Sequence, residues 1–194
     1  MKKKVATSRH KLLLNQNAAL LQQLQTLYQQ LDKKMQREWQ RSLPLEELLS
    51  DRWRRANELG FDNEASIYAS AIVFGKVKVG KKTWIGPNTI LDGSGGRITI
   101  GEYCNISAGS QIYTHDSIAW CLSGGKTAAK KGAVTIGKCT YIGPQVVIQR
   151  GVKIGHHCVI GALSMVNRDI PPYSFAVGSP CRVIGVVKQD KYGR

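Results

Sequence analysis

No apolar run in this 194-residue chain approaches the roughly 20 residues needed to span a bilayer, so no membrane-spanning helix is expected. Acidic residues are scarce: 13 Asp and Glu face 28 Lys and Arg, a net charge of +15. The five cysteines are odd in number and lack any Cys-x-x-Cys spacing, which argues against a zinc site and for reduced thiols in the cytoplasm. The start is basic, like the head of a signal peptide, but residues 5–11 break any apolar segment that would complete one, so no export signal is expected. Glycine and proline are missing from the glutamine-rich segment that ends at Pro44. There Leu20, Leu24, Leu27, Leu31 and Met35 recur at three-and-four spacing, which predicts an amphipathic helix over 18–41. A shorter acidic segment, Pro44 to Trp53, predicts a second helix.

The positive charge is uneven. Residues 1–41 carry a net +7, residues 42–66 a net −3 and residues 67–194 a net +11. A basic surface can meet nucleic acid, an anionic membrane or phosphorylated small molecules. Nucleic acid would rest on charge alone, without a base-stacking motif, and is not expected. Lys2, Lys3, Lys4, Arg9 and Lys11 ahead of the amphipathic helix leave peripheral contact with an anionic membrane open. The competing role for that helix is packing within an oligomer.

What is abundant is a six-residue period. An aliphatic residue recurs at Ile67, Val73, Val79, Ile85 and Leu91. After a three-residue shift it resumes at Ile100, Ile106 and Ile112, then at Ile136, Ile142, Ile148, Ile154, Ile160 and Val166. Seven of these are followed at once by glycine, and a small or β-branched residue often stands four places on, as in Thr83, Cys104, Ser110, Thr140 and Cys158. Neither a helix nor a simple strand has this period. It fits a short strand and a tight turn, three units to one triangular coil, with the aliphatic inside, the small residue in the corner and glycine tolerating unusual backbone angles.

Two stretches are the most specific. One is Ile100-Gly-Glu-Tyr-Cys-Asn-Ile-Ser-Ala-Gly-Ser-Gln-Ile-Tyr-Thr-His-Asp116. The other is Ile154-Gly-His-His-Cys-Val-Ile-Gly-Ala-Leu-Ser-Met-Val-Asn-Arg-Asp-Ile-Pro-Pro172. Over about residues 45–186 the chain resembles the hexapeptide-repeat acyltransferases, most of all the galactoside, maltose and surface-polysaccharide O-acetyltransferases. The closing run from Pro171 to Gly185 is similar to theirs as well. The resemblance implies an all-β fold, a left-handed parallel β-helix of hexapeptide repeats with an N-terminal helical appendage and a long loop inserted at about 118–133. The expected organisation is a basic helical segment over 1–60, the β-helix acetyltransferase domain over 61–186 and a short tail over 187–194.

Acetyl transfer from a thioester to a hydroxyl needs a base for the proton, a donor for the oxyanion and positioning of both substrates. Among four histidines, His115 alone lies where the repeat ends and the loop begins. Imidazole titrates near neutrality, and the resemblance places the family's catalytic histidine here, so His115 is the expected general base. Asn88, Asp92, Asp116 and Trp120 are the candidates for binding the acceptor, with Asp116 also able to orient the imidazole. No asparagine sits squarely at the family's acceptor position; Asn88 is the nearest. The resemblance assigns acetyl-coenzyme A, the acyl donor, to Tyr141, Gly143, Ala162, Asn167, Arg168 and Arg182. Relatives commonly have serine or glycine where this chain has Pro144, which has no N–H to offer an oxyanion.

His156 and His157 are adjacent, and neighbours in a strand point to opposite faces, so no metal site and no metal requirement are expected. The resemblance further implies a homotrimer with the active site between subunits. The function expected is acetyl-CoA-dependent O-acetylation of a sugar hydroxyl on a surface glycan or its precursor. Two alternatives stay open: N-acetylation of an amino sugar, and a non-catalytic β-helix scaffold or membrane-associated binding protein.

Overall fold

A computed structural model describes residues 17–188. The basic residues Lys2, Lys3, Lys4, Arg9 and Lys11 that leave membrane contact open, and the tail beyond Lys188, lie outside the described residues. The chain divides into two compact units between Leu49 and Ser50. This is earlier than the expected boundary at 60, and the reason lies in a short helix, described below, that packs with the β-strands.

The first unit holds helix α1 (Ala18–Trp39) and helix α2 (Leu45–Leu49). Gln40 ends α1 in the left-handed conformation, its N–H bonded to the Gln36 carbonyl at 3.0 Å. The Ser42 hydroxyl donates to Asp32 at 2.9 Å and turns the chain toward α2. No helix among the described residues is long and apolar enough to cross a membrane.

The second unit begins with helix α3 (Arg52–Glu58). The single helix expected over 44–53 is broken because the Asp51 carboxylate caps a new one, accepting from the N–H groups of Trp53 and Arg54 at 3.0 and 2.8 Å. Ala56 is fully buried, and Arg55 donates to the carbonyls of Tyr68 and Ala71, so α3 closes the end of the first coil.

From Ser66 onward short parallel strands wind into a three-faced coil. On the first face Ile67 pairs with Ile85, Ile85 with Ile106, Ile106 with Ile142, and Ile142 with Ile160. On the second, Val73, Leu91, Ile112, Ile148 and Val166 follow one another. On the third the series is Val79, Ile100, Ile136 and Ile154, closed by a bridge to Ile170. Thirteen of the fourteen periodic aliphatics are buried and the other, Val73, packs against them as a partly buried side chain. Each such burial contributes about 1.5–3 kcal/mol before chain entropy is counted. Because Ile67 pairs with Ile85 and the inward-facing Val73 and Val79 lie between them, three six-residue units make that turn.

Glycine's role differs from the expected one. Gly80, Gly86, Gly101, Gly137, Gly143 and Gly155 all have ordinary negative φ or extended backbone; the left-handed residues are Lys82, Asn88, Tyr103, Cys139, Gln145 and His157, two places later. What demands glycine is the next coil. A Cβ on Gly80 would meet the Glu102 amide at 2.6 Å, and one on Gly143 the Ala162 amide at 2.7 Å. The small corner residues do more than fit. Thr83 donates to the Gly101 carbonyl at 2.8 Å, Ser110 to Gly143 at 2.9 Å and Thr140 to Gly155 at 3.1 Å. Cys104 and Cys158 set their sulfurs 3.2 and 3.1 Å from the Gly137 and Pro171 carbonyls. Each corner side chain thereby ties its coil to the next, and burial pushes the Cys104 thiol up to about 11.

Candidate active site

The corner between the second and third faces departs from the repeat twice, and the two departures touch. The three-residue shift is the turn Asp92-Gly-Ser-Gly-Gly-Arg97, inside the strand Ile90–Ile100. The long insertion leaves one coil later, after the strand Gln111–Tyr113. Gly93 and Gly95 are required by proximity. A Cβ on Gly93 would run into the Lys76 carbonyl, and one on Gly95 would sit 2.6 Å from the His115 Cβ.

His115 begins a two-residue strand, His115–Asp116, paired antiparallel with Lys130–Lys131. The inserted loop is therefore closed at its root onto the histidine's own backbone. Asp116 accepts from the Ile118 N–H at 3.2 Å, starting helix α4 (Ile118–Leu122), and its other oxygen takes the Arg150 guanidinium of the next coil. That hydrogen bond holds the Asp116 carboxyl below the usual carboxylate range.

The His115 side chain is 37% exposed, and its Nδ1 lies 3.6 Å from Asp92 Oδ2. Asp92 is buried, and its other oxygen accepts the Ser94 N–H at 3.1 Å and the Ser94 hydroxyl at 2.5 Å. The same hydroxyl oxygen is 3.4 Å from His115 Nδ1. A fixed carboxylate on the Nδ1 side favours the tautomer with its proton there, which leaves Nε2 as a base. Asp92, not Asp116, is thus the carboxylate beside the imidazole.

The other candidates are dispersed. Trp120 lies on α4, 52% exposed, its carbonyl accepting the Gly125 N–H at 2.8 Å. Asn88 is exposed in the left-handed conformation on the corner between the first and second faces, away from the His115 corner. Gly143 and Ala162 share that first corner in adjacent coils, while exposed Asn167 and Arg168 follow the second face on the His115 corner. Tyr141 is exposed on the first face, and Arg182 starts the antiparallel strand Arg182–Val186. One chain does not gather these six around a single point. Beside Pro144, the Gly143 and Gln145 amides are both engaged, with the Ile160 and Ala108 carbonyls at 2.8 and 3.0 Å. Neither of those two amides is free for an oxyanion.

His156 and His157 correct another expectation. His157 is left-handed rather than extended, so alternation fails and the two rings lie on one side, Nδ1 to Nδ1 at 2.9 Å, against Tyr173. Burial, then the nearby His156 and Lys138, push the His157 pKa down. Among the described residues no group of three His, Cys, Asp or Glu side chains could hold a metal. Sequence reasoning missed Ser94 and Arg150. Ser94 falls inside the three-residue shift, which marked the place without naming the residue; Arg150 had no periodic signal at all.

Residues 133–168 match the family model "Bacterial transferase hexapeptide (six repeats)". A Staphylococcus aureus protein named an acetyltransferase is 38% identical over 114 residues, 59% of this chain and 57% of that one. The galactoside O-acetyltransferase of Escherichia coli is 52% identical over 60 residues, 30% of each chain. The match thus spans 57% of the length of the first of these relatives and 30% of the second. Among solved structures, a hexapeptide-repeat acetyltransferase of Vibrio cholerae complexed with acetyl-coenzyme A superposes with a TM-score of 0.62 at 27% identity, covering 88% of this chain and 91% of that one. An N-acyltransferase from Bacillus cereus, in complex with dTDP and 3-hydroxybutyryl-CoA, gives 0.61 at 28% identity over 68% and 74%.

Proposed function

Taking as premise a chain built of hexapeptide-transferase repeats and similar to acetyltransferases, we propose that it is an acetyl-CoA-dependent O-acetyltransferase of a sugar hydroxyl, with His115 as general base. The observation that carries the reading is the His115 imidazole, part exposed where the loop leaves the coil, with a buried carboxylate on its Nδ1 side. Nε2 takes the proton of the acceptor hydroxyl as its oxygen attacks the thioester carbonyl carbon. The carbon–sulfur bond then breaks, and the thiolate leaves with the proton returned by His115. Asp92 stabilises the imidazolium that forms in between; no bond to the protein is made.

The two corners that share the coenzyme candidates suggest how the site is completed. Gly143 and Ala162 on the first corner and Arg168 on the His115 corner are separated by a face, about 15 Å of strand. Laying one subunit's first corner beside its neighbour's His115 corner brings them to one cleft. Such an interface joins unlike surfaces, and closes into a ring where the rotation between subunits permits. This supports a homotrimer of left-handed β-helices, each site walled by two subunits. All five cysteines are free thiols, which fits a cytoplasmic setting.

The similarity to an N-acyltransferase favours one second reading, an amine acceptor on an amino sugar. Thiol release from acetyl-coenzyme A, measured with hydroxyl and amino sugars side by side, separates the two. Release with hydroxyl acceptors that depends on His115 supports the first; release with amino sugars alone replaces it.

A further inference from the structure

The three corners of the coil differ in charge. The corner between the third and first faces is ion-paired: Lys82 with Glu64 at 3.6 Å, Lys81 with Glu102 at 3.4 Å and Lys138 with Glu102 at 3.9 Å. The corner between the first and second faces, residues 68–71, 86–89, 107–110, 143–146 and 161–164, holds no charged residue. The His115 corner holds Lys76, Arg97, Arg150 and Arg168, and its inserted loop adds Lys126, Lys130 and Lys131. Its three carboxylates are already engaged: Asp92 by Ser94, Asp116 by Arg150, and Asp169 by the Lys153 N–H at 2.8 Å. Lys76, Arg97, Lys131 and Arg168 are exposed and make no ion pair among the described residues.

Their order along the axis matters. Arg168 lies on the C-terminal side of His115, past the coil of Arg150, where the coenzyme candidates are. Lys76 lies on the N-terminal side, its carbonyl against Gly93, and Arg97 follows Gly96, which packs on Ala133 next to the hairpin of Lys131. Neighbouring coils are about 4.8 Å apart, so the backbone positions that carry these cations lie within about two coils, roughly 10 Å, of that of His115. A concentration of one sign in a cleft focuses field and selects ligands of the opposite charge.

We propose that the acceptor is anionic: a sugar carrying a phosphate or carboxylate on the acetylated residue or the one beside it, held by Lys76, Arg97 and Lys131. This rests on the reading of His115 as an acetyl-transfer base, and deepens it. The test uses the full chain with acetyl-coenzyme A and four acceptor classes: neutral sugars, glycosyl phosphates, nucleoside-diphosphate sugars and uronic acids. Charged acceptors should exceed neutral ones about tenfold in kcat/KM, with the advantage fading as salt rises, and the phosphate and carboxylate arms identify which anion is read. The double variant Lys76→Glu, Arg97→Glu should raise the KM of the charged acceptor about tenfold and leave that of acetyl-coenzyme A unmoved. Lys138→Glu, on the ion-paired corner, should change neither. Equal use of neutral sugars, an effect confined to the KM of acetyl-coenzyme A, or no charged acceptor bound or turned over would each overturn the proposal. His115-dependent turnover of neutral sugars would show that the acetyl-transfer reading survives its loss.

Discussion

Asp92→Asn removes one charge from the site and almost nothing else. The Asn carbonyl can still accept the Ser94 N–H and hydroxyl now bonded to Asp92 Oδ1 at 3.1 and 2.5 Å, so the turn should hold its shape. What is lost is a carboxylate 3.6 Å from His115 Nδ1. At that separation, with an effective dielectric near 20, a full charge pair is worth about 4–5 kcal/mol. The imidazole is 37% exposed, and water reduces that to about 2 kcal/mol. Because the imidazolium exists only as the proton is taken, the loss should fall on the barrier, about thirtyfold in kcat. Thiol release at saturating acetyl-coenzyme A measures it directly, and the KM of the donor should stay within twofold. A kcat within twofold of wild type would refute the role given to Asp92 and return Asp116 to consideration.

Other outcomes follow from the same geometry. Gly95→Ala places a methyl 2.6 Å from the His115 Cβ, so kcat should fall at least about tenfold; full activity would show that the turn can yield without moving the base. Thr140→Val removes the hydroxyl that bonds the Gly155 carbonyl at 3.1 Å and receives the Cys158 N–H at 3.3 Å. Urea denaturation should show a loss of about 1–3 kcal/mol with an unchanged slope. The Asp116 carboxyl is held below its ordinary value by Arg150, so the pair stabilises the fold above the unfolded pKa and is lost as pH falls through the lowered one. Asp116→Asn should therefore lower the melting temperature near neutral pH, and the gap should close in acid.

The core was legible because burial has a period. Every sixth aliphatic faces inward, and the same arithmetic located the insertion, since the Ile106–Ile142 pairing skips the length of one extra coil. Glycine was visible but misread. Its position marks where one backbone presses on another, while the left-handed turn falls on Lys82, Tyr103 or His157, whose side chains give no such signal. The site was half legible. His115 stood at a break in the pattern, but the carboxylate beside it belongs to the preceding coil, and choosing Asp92 over Asp116 required knowing that Arg150 engages the latter. The charge contrast between corners was hidden for a related reason. The net +11 of residues 67–194 is one number along the chain, and only folding sorts it onto separate edges.

The most direct test compares thiol release from acetyl-coenzyme A by wild type and His115→Ala over the acceptor panel, with coenzyme binding measured in parallel. A general base at His115 requires that acceptor-dependent release fall at least about a thousandfold in the variant, with coenzyme affinity retained. Full turnover in His115→Ala would contradict it.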